Sequence, residues 1–170
     1  MDCVAGSYAG TLVRLPLQWF VFGTRVKWTM ALTTEGKEQL IAWAESRLGM
    51  KFRPDAKAIG RLRDGELSAV VVWDGFSKAD CNIHVVSDGS RRWLNRKLLV
   101  AAFSYPFIQL RLRRVTALVP AKNTASLALV RRLGFVLEGV CRHALPDDDI
   151  VVLGMLREHC LWIPTEYRHV

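Results

Sequence analysis

Residues 113–139 read RRVTALVPAKNTASLALVRRLGFVLEG, and this stretch decides the fold. The run from Val115 to Val119 is apolar almost throughout, which is typical of a strand buried on both faces. Pro120 ends that run because proline has no N–H to donate to a neighbouring strand. Phe135 begins a second apolar run. The two ends of the stretch therefore predict two strands.

A helix is predicted between these strands. Asn123 or Thr124 provides the N-cap, and the helix continues to about Leu133. Gly134 follows, and glycine readily takes the left-handed conformation that closes a helix. The stretch as a whole predicts a strand, a helix and a second strand.

The order of these residues resembles the carboxyl half of the GNAT superfamily of acyl-CoA-dependent N-acetyltransferases. The resemblance rests on the apolar strand, on Asn123 with Ser126 three residues later, on Leu133-Gly134-Phe135 and on Glu138-Gly139. Taken alone, Asn and Ser near a helix start are more often simple caps. The chain looks most like the branch that acetylates ribosomal-protein amino termini and like GNAT-type proteins encoded by tailed phages.

This resemblance covers about residues 34–158 and implies both a fold and an activity. The implied fold is of the α/β (α+β) class: a mixed, mostly antiparallel central sheet, splayed at a cofactor groove and flanked by helices. The implied activity is direct transfer of an acetyl group from acetyl-CoA to a primary amine. A protein amino terminus, a lysine, a polyamine, an antibiotic or another small molecule would all fit one fold as acceptor.

A length of 170 residues with 51% hydrophobic residues predicts one globular domain. The sequence that begins at Met30 would be a natural start for a domain, so we expect residues 30–170 to form that domain. Residues 1–29 are expected to be an amino-terminal extension, either a peripheral strand or partly disordered. Arg14 and Pro16 argue against a signal peptide or a membrane span in this extension.

The cysteines and histidines indicate neither a disulfide framework nor a metal site. The four cysteines are scattered without C-x-x-C spacing, which favours reduced thiols in a cytoplasmic protein. The four histidines do not pair at the spacing of metal ligands. We therefore expect no metal cofactor.

Positive charge is concentrated in residues 89–137, which contain ten Lys or Arg and no Asp or Glu, while the whole chain carries a net charge of +8. The resemblance assigns this segment to CoA, whose pyrophosphate and 3′-phosphate need a positive field. Nucleic acid is an alternative partner, because Arg91-Arg92-Trp93 combines phosphate attraction with a surface for base stacking. A third interpretation is a basic face that only confers solubility, as we expect for Arg111 and Arg113.

A helix and two hairpins are predicted outside this segment. Thr34 is placed to cap a helix that Gly49 ends, and GNAT proteins usually have a helix here beside the acceptor site. Asp64-Gly65 is a two-residue turn suited to a hairpin. The acidic turn at residues 146–149 predicts a second hairpin. The apolar side of the helix comprises Leu40, Ile41, Trp43, Ala44 and Leu48.

Residues 81–87 predict a strand in which His84 and Val86 point to one face and Ile83 and Val85 to the other. The resemblance implies that this strand splays away from the next one and that the gap admits the pantetheine arm. It also implies a backbone N–H donor to the thioester oxygen, near Val85 or Val86.

The turn at residues 87–90 is predicted to start a second helix, which Pro106 should kink or split. Free N–H groups at a helix start attract anions. The chain departs here from the GNAT phosphate loop [RQ]-x-x-G-x-[GA], because arginine, tryptophan, leucine or asparagine stands at the glycine positions. We expect side chains to bind the phosphates instead. The predicted cofactor-binding residues are Val85, Val86, Ser90, Arg91, Arg92, Trp93, Asn95, Arg96, Asn123 and Ser126.

His84 is the candidate general base, because the ordinary pKa of histidine lies near neutrality. The alternative is an ordinary half-buried strand histidine, and Asp88 acting through a water is a further candidate. By resemblance, Ser126 is a candidate proton donor to the leaving thiolate. Many GNAT proteins have a tyrosine as general acid where this chain has Val130. Given that vacancy and the altered loop, a second hypothesis is a non-catalytic binding module on nucleic acid or in a phage particle.

Overall fold

A computed structural model describes residues 32–90 and 92–169. The predicted extension at residues 1–29 and Arg91 lie outside the described residues. The elements in chain order are β1 (Leu32–Thr33), α1 (Lys37–Leu48), β2 (Lys57–Arg63), β3 (Glu66–Asp74), β4 (Asn82–Ser87), α2 (Arg96–Ser104), a π-helical turn (Tyr105–Gln109), β5 (Arg114–Pro120), α3 (Thr124–Leu133), β6 (Val136–Leu145), β7 (Asp148–Leu156) and two 3-10 turns (Arg157–His159 and Thr165–Tyr167).

The strands of the described ranges form one seven-stranded sheet in the order β1-β2-β3-β4-β5-β7-β6. Strands β4 and β5 run parallel, and the other neighbouring strands pair antiparallel. The predicted class, a mixed and mostly antiparallel sheet flanked by helices, is confirmed.

The sheet separates two apolar clusters. On the first face, called the α1 face, Leu40 and Ala44 of α1 pack with Val70, Val72 and Val86. The helix approaches the sheet closely at Gly60, where an added Cβ would lie 2.6 Å from a methyl carbon of Leu40. The second face, called the α2 face, holds the larger cluster, which includes Leu98, Phe103, Val115, Leu133, Phe135, Leu153 and Met155.

The strand–helix–strand prediction for residues 113–139 is confirmed. Strand β5 ends at Pro120, and Asn123 is the N-cap of α3, its Oδ1 accepting the N–H of Ser126 at 3.1 Å. Gly134 closes α3 with a φ of 107°, in the left-handed region that glycine tolerates. Local backbone chemistry therefore determines this unit.

The predicted starts of α1 and α2 were wrong. Helix α1 begins at Lys37 after Gly36, which has a φ of 66° and makes no side-chain cap, so Thr34 is not the N-cap. Helix α2 begins at Arg96 rather than near Ser90, and Asn95 caps it by accepting the N–H of Leu98 at 2.8 Å. The earlier turn closes on itself, because the carboxylate of Asp88 accepts the N–H of Ser90 at 2.8 Å.

The remaining predictions for turns hold with small changes. The helix that contains Pro106 passes from α to π geometry at Tyr105, which confirms the split. Asp64 and Gly65 form the first hairpin turn with φ values of 53° and 87°. The second hairpin turn is shorter than predicted, because Leu145 already pairs with Asp148. Among the helices of the described ranges, none is long and apolar enough to cross a membrane.

Candidate functional site

Strands β4 and β5 are separated by a gap. The two strands share a single register pair, Asn82 with Thr116, where the N–H of Thr116 donates to the carbonyl of Cys81 at 2.9 Å. Beyond this pair the strands diverge, as expected for the splayed strands. A cavity of about 700 Å³ lies in the gap and is lined from both faces of the sheet.

The wall of the cavity is mostly apolar. The α2 face contributes side chains that also belong to the larger core cluster, among them Leu98, Leu99, Phe103, Leu133 and Phe135. The α1 face contributes the end of α1, the loop after it and the β6–β7 hairpin, with Arg47, Leu48, Met50, Leu145 and Ile150. A pocket of this kind suits a long, largely apolar ligand with a few oriented polar groups.

His84 lies on β4 at the edge of this cavity. Its side chain is 13% exposed, and its Nε2 lies 3.1 Å from Oδ1 of Asp74 on the neighbouring strand β3. The ring of Phe52 meets the imidazole edge to face, with centroids 5.1 Å apart. The imidazole is therefore held between a carboxylate and an aromatic ring.

Asp74 remains ionised because of its hydrogen bonds. Burial alone would raise the pKa of this carboxyl, but the contact with His84, the N–H of Arg53 at 3.2 Å and the side-chain amide of Asn82 at 3.2 Å hold the pKa of Asp74 below its usual range. A carboxylate can only accept, so Nε2 of His84 donates to it. A neutral His84 then has its lone pair on Nδ1, as a general base requires.

Sequence reasoning missed Asp74. The signal was present, since Asp74 is a carboxylate directly after the apolar run 69–73 and is followed by Gly75. What the sequence did not reveal is the register that pairs β3 with β4 and brings Asp74 and His84 to the same face.

The peptide groups of Val85 and Val86 point in opposite directions. The carbonyl of Cys81 is directed to β5, and the N–H of Asp88 is directed to β3, where it donates to Ser68 at 3.0 Å. Because the direction of the backbone N–H and C=O groups alternates along a strand, those of Val85 point into the gap and those of Val86 point to β3. The side chain of Val86 is 5% exposed and packs in the cluster on the α1 face.

The loop before α2 is anchored by a buried arginine. Arg61 is 1% exposed, and its Nη1 donates to the hydroxyl of Ser68 at 2.9 Å and to the carbonyl of Arg92 at 2.8 Å. Trp93 lines the cavity, whereas Arg92 and Arg96 are exposed beside it. Ser90, Asn95 and both of these arginines do not line the cavity, and the predicted role of Arg91 lies outside the described residues.

The start of α3 faces the cavity from the other side of the gap. Asn123, Ser126 and Val130 all line it. Val130 therefore adds apolar wall at the position where the resemblance expects a tyrosine. The structure brings five of the predicted site residues together around one cavity: His84, Val85, Trp93, Asn123 and Ser126.

Part of the basic segment is used in structural ion pairs and hydrogen bonds. Arg114 contacts Glu138 at 2.6 Å and Asp80 at 3.2 Å, and Glu138 together with Asp80 raises the pKa of this guanidinium further despite partial burial. Lys122 donates to the carbonyl of Asp147. Near the cavity, the exposed arginines before and at the start of α2 are therefore the better candidates for binding phosphates.

No described residues form a group of three or more His, Cys, Asp or Glu side chains that could hold a metal ion. The described cysteines are unpaired: Cys81 and Cys160 are buried, and Cys141 is exposed. Burial raises the pKa of the Cys81 thiol to about 12, with smaller contributions from nearby carboxylates.

Comparison of the fold with solved structures identifies its type. A mutant of spermidine N-acetyltransferase SpeG from Vibrio cholerae matches 75% of this chain and 93% of its own, with a TM-score of 0.65 and 14% identity. The Campylobacter jejuni N-acetyltransferase PseH matches 75% of this chain and 97% of its own, with a TM-score of 0.56 and 14% identity. The chain has the fold of the GNAT acetyltransferases.

At this level of identity the likeness describes the GNAT fold and not a branch. No protein-family model matches the sequence, and no curated protein is significantly similar to it in sequence. The likeness to the ribosomal-protein branch and to phage proteins stays a prediction from the residues of the strand–helix–strand unit.

Proposed function

We propose that the protein is an N-acetyltransferase that transfers an acetyl group from acetyl-CoA directly to a primary amine in a ternary complex. One observation carries the proposal: the cavity between β4 and β5 has a carboxylate-backed histidine on one strand and the capped start of α3 across the gap. A nucleophile and a thioester could meet between them.

In this proposal the chain supplies three functions. His84 takes a proton from the amine as its nitrogen attacks, and Asp74 stabilises the imidazolium that forms. The N–H of Val85, directed into the gap, donates to the carbonyl oxygen as that oxygen gains charge. Ser126 provides a hydroxyl for the departing sulfur.

Acetyl-CoA supplies the activated acetyl group as a thioester. The apolar wall on the α2 face suits its pantetheine arm, and the edge of β4 beyond Asn82 has peptide groups to pair with it. Arg92 and Arg96 are exposed and flank the lining residues Trp93 and Leu94 in the chain, so they are the proposed partners for the phosphates, and buried Arg61 anchors that loop through the carbonyl of Arg92. Side chains thereby replace the glycine-rich loop of other GNAT proteins.

Calorimetric titration with acetyl-CoA and with CoA, at two salt concentrations, tests the proposal. We expect micromolar binding that Arg91→Ala or Arg92→Ala weakens and that higher salt weakens further. Arg111→Ala is the matched control, since it removes the same charge from the same basic segment at an exposed position outside the cavity. That variant should bind as the parent does.

The absence of binding to either ligand would contradict the proposal and favour the non-catalytic binding module. In that case the protein should bind RNA or single-stranded DNA with a salt-sensitive affinity that CoA does not change. If CoA binds, release of its thiol in the presence of an amine measures the transfer itself.

A further inference from the structure

The charges of the described lining restrict the amines that the cavity can accept. Among the described residues of its lining there is no Asp, Glu or Lys, and Arg47 is the one with a permanent charge. The 31 residues before β1 contain a single carboxylate side chain, that of Asp2. Asp74, behind His84, is already engaged by His84, Asn82 and the N–H of Arg53.

Apart from Arg47 and His84, the described cavity wall on the α1 face is apolar, and part of it is exposed. Leu48 and Met50, at the end of α1, are each 43% exposed, and Leu118 on β5 is 41% exposed. Ile150 pairs with Pro120 and therefore lies on the same face as Leu118. Large apolar side chains around a cavity mouth gain most when an apolar ligand covers them.

Arg47 places a fixed positive charge at this mouth. Its guanidinium carbon lies 3.7 Å from the centroid of the Trp43 ring, so the side chain is held by a cation–π contact. A second cation arriving here would meet repulsion from Arg47 and no carboxylate partner in the described lining.

Resting on the acetyl transfer proposed above, we propose that the acceptor is a primary monoamine attached to an apolar body, and that Arg47 helps to exclude polyamines. The apolar body covers Leu48, Met50 and Leu118. The amine nitrogen lies toward His84, which faces the same side of the sheet.

The same environment favours the chemistry. An apolar wall disfavours the ammonium form and so lowers the pKa of the bound amine, which raises the fraction of neutral nucleophile. The amine nitrogen forms a bond to the acetyl carbonyl carbon, the carbon–sulfur bond breaks with its electron pair on sulfur, and the nitrogen's surplus proton passes to His84. A polyamine would have to bring its further ammonium groups into this wall without partners, which is costly.

Hexylamine and 1,6-diaminohexane form a matched pair of probes, since they share the chain length and differ by one ammonium group. We expect kcat/KM for hexylamine to exceed that for 1,6-diaminohexane by at least about 10-fold, with spermidine poorer still. Arg47→Glu should lower the ratio of these two kcat/KM values by raising kcat/KM for 1,6-diaminohexane. Arg47→Gln, which removes the charge without reversing it, should have the smaller effect.

Calorimetric binding of each amine to the complex with CoA separates this inference from the proposed function. If hexylamine binds more tightly than 1,6-diaminohexane but no acetyl transfer occurs, the proposed enzymatic function is overturned and the proposed monoamine preference of the cavity is supported. Acetyl transfer to spermidine or to 1,6-diaminohexane with a kcat/KM equal to or higher than that for hexylamine would support the proposed enzymatic function and overturn the inferred monoamine preference. Failure of hexylamine both to bind and to be acetylated would overturn it as well.

Discussion

Nε2 of His84 lies 3.1 Å from Oδ1 of Asp74, although the two residues stand on different strands. The register of β3 with β4 pairs His84 with Val72 and Asn82 with Asp74, so both polar side chains emerge on the α1 face. The carboxylate accepts from Nε2 and leaves Nδ1 as the basic nitrogen. This pair is the reason that His84 is the better candidate for a base than Asp88, which is exposed in a turn.

Replacing His84 by glutamine should lower turnover by at least about 100-fold, because no other side chain in the described lining takes the proton so readily. The affinity for acetyl-CoA, measured by calorimetry, should not change. An unaltered rate would remove His84 from the mechanism.

Replacing Asp74 by asparagine should lower kcat by about 10-fold or more and leave the Kd of acetyl-CoA unchanged, since the amide can present an N–H to Nε2 and favour the wrong tautomer. Steady-state kinetics and calorimetry on the same preparation separate the two quantities. If Asp74 has only a structural role, acetyl-CoA affinity and thermal stability will fall together with kcat, and kcat will not change separately from the Kd.

Acid should reveal the same carboxylate through stability. The pKa of Asp74 in the folded protein lies below its ordinary value of 3.8, so the folded state holds its proton less tightly than the unfolded chain. Its contribution to stability is complete above that ordinary value and is lost as the pH falls through the folded pKa. Urea unfolding at pH 7 and at pH 3 should show a larger difference between the parent and Asp74→Asn at pH 7. An equal difference at both pH values would contradict the assignment.

Asn123 can be tested as a cap and as a cofactor contact separately. Asn123→Ala should lower the free energy of unfolding by about 1 kcal/mol, because α3 loses the bond from Asn123 to the N–H of Ser126. Asn123→Ser retains a good capping residue and should be nearly as stable as the parent. If the amide also contacts acetyl-CoA, both variants should bind it more weakly; loss of affinity in the alanine variant alone would limit Asn123 to capping.

The thiols should react in an order set by burial. Burial raises the pKa of Cys81 to about 12 and that of Cys160 to about 11, so neither forms a thiolate readily at pH 8. In a Cys3→Ser variant, a thiol-specific dye should modify the exposed Cys141 in the native protein and the other two only in urea. Rapid modification of Cys81 in the native state would show that the β4 end of the gap opens to solvent. Because Cys141 reacts with such a dye, its signal must be subtracted in any assay that uses the dye to detect the released CoA thiol.

The local elements were predictable because each depends on a few adjacent residues. Pro120 stops a strand for lack of an N–H, Gly134 closes α3 with a positive φ, and Asp64-Gly65 makes its hairpin turn. Predictions failed where two local motifs competed. The Asp88 carboxylate accepts the N–H of Ser90 in a closed turn, so α2 begins only after the next capping residue, Asn95.

The site was only half predictable. The sequence indicated His84, Ser126 and Asn123, and the structure brings all three to one cavity. Asp74 and Arg61 were not indicated, because their roles depend on partners 10 and 31 residues away. Charge clustering along the sequence also overstated the free positive charge, since Arg114 is paired with Glu138 and Asp80.

By itself, the sequence determined the type of each main element and the splitting of the helix at Pro106, because these follow from backbone chemistry and short-range patterns. Its motifs also carried the resemblance to acetyltransferases. Only the tertiary structure decided which groups meet: the single register pair that opens β4 from β5, the carboxylate behind His84 and a described cavity wall without Asp, Glu or Lys. The physical reason is that strand register and the approach of α1 to the sheet place distant residues on a common face, and no local pattern encodes that distance.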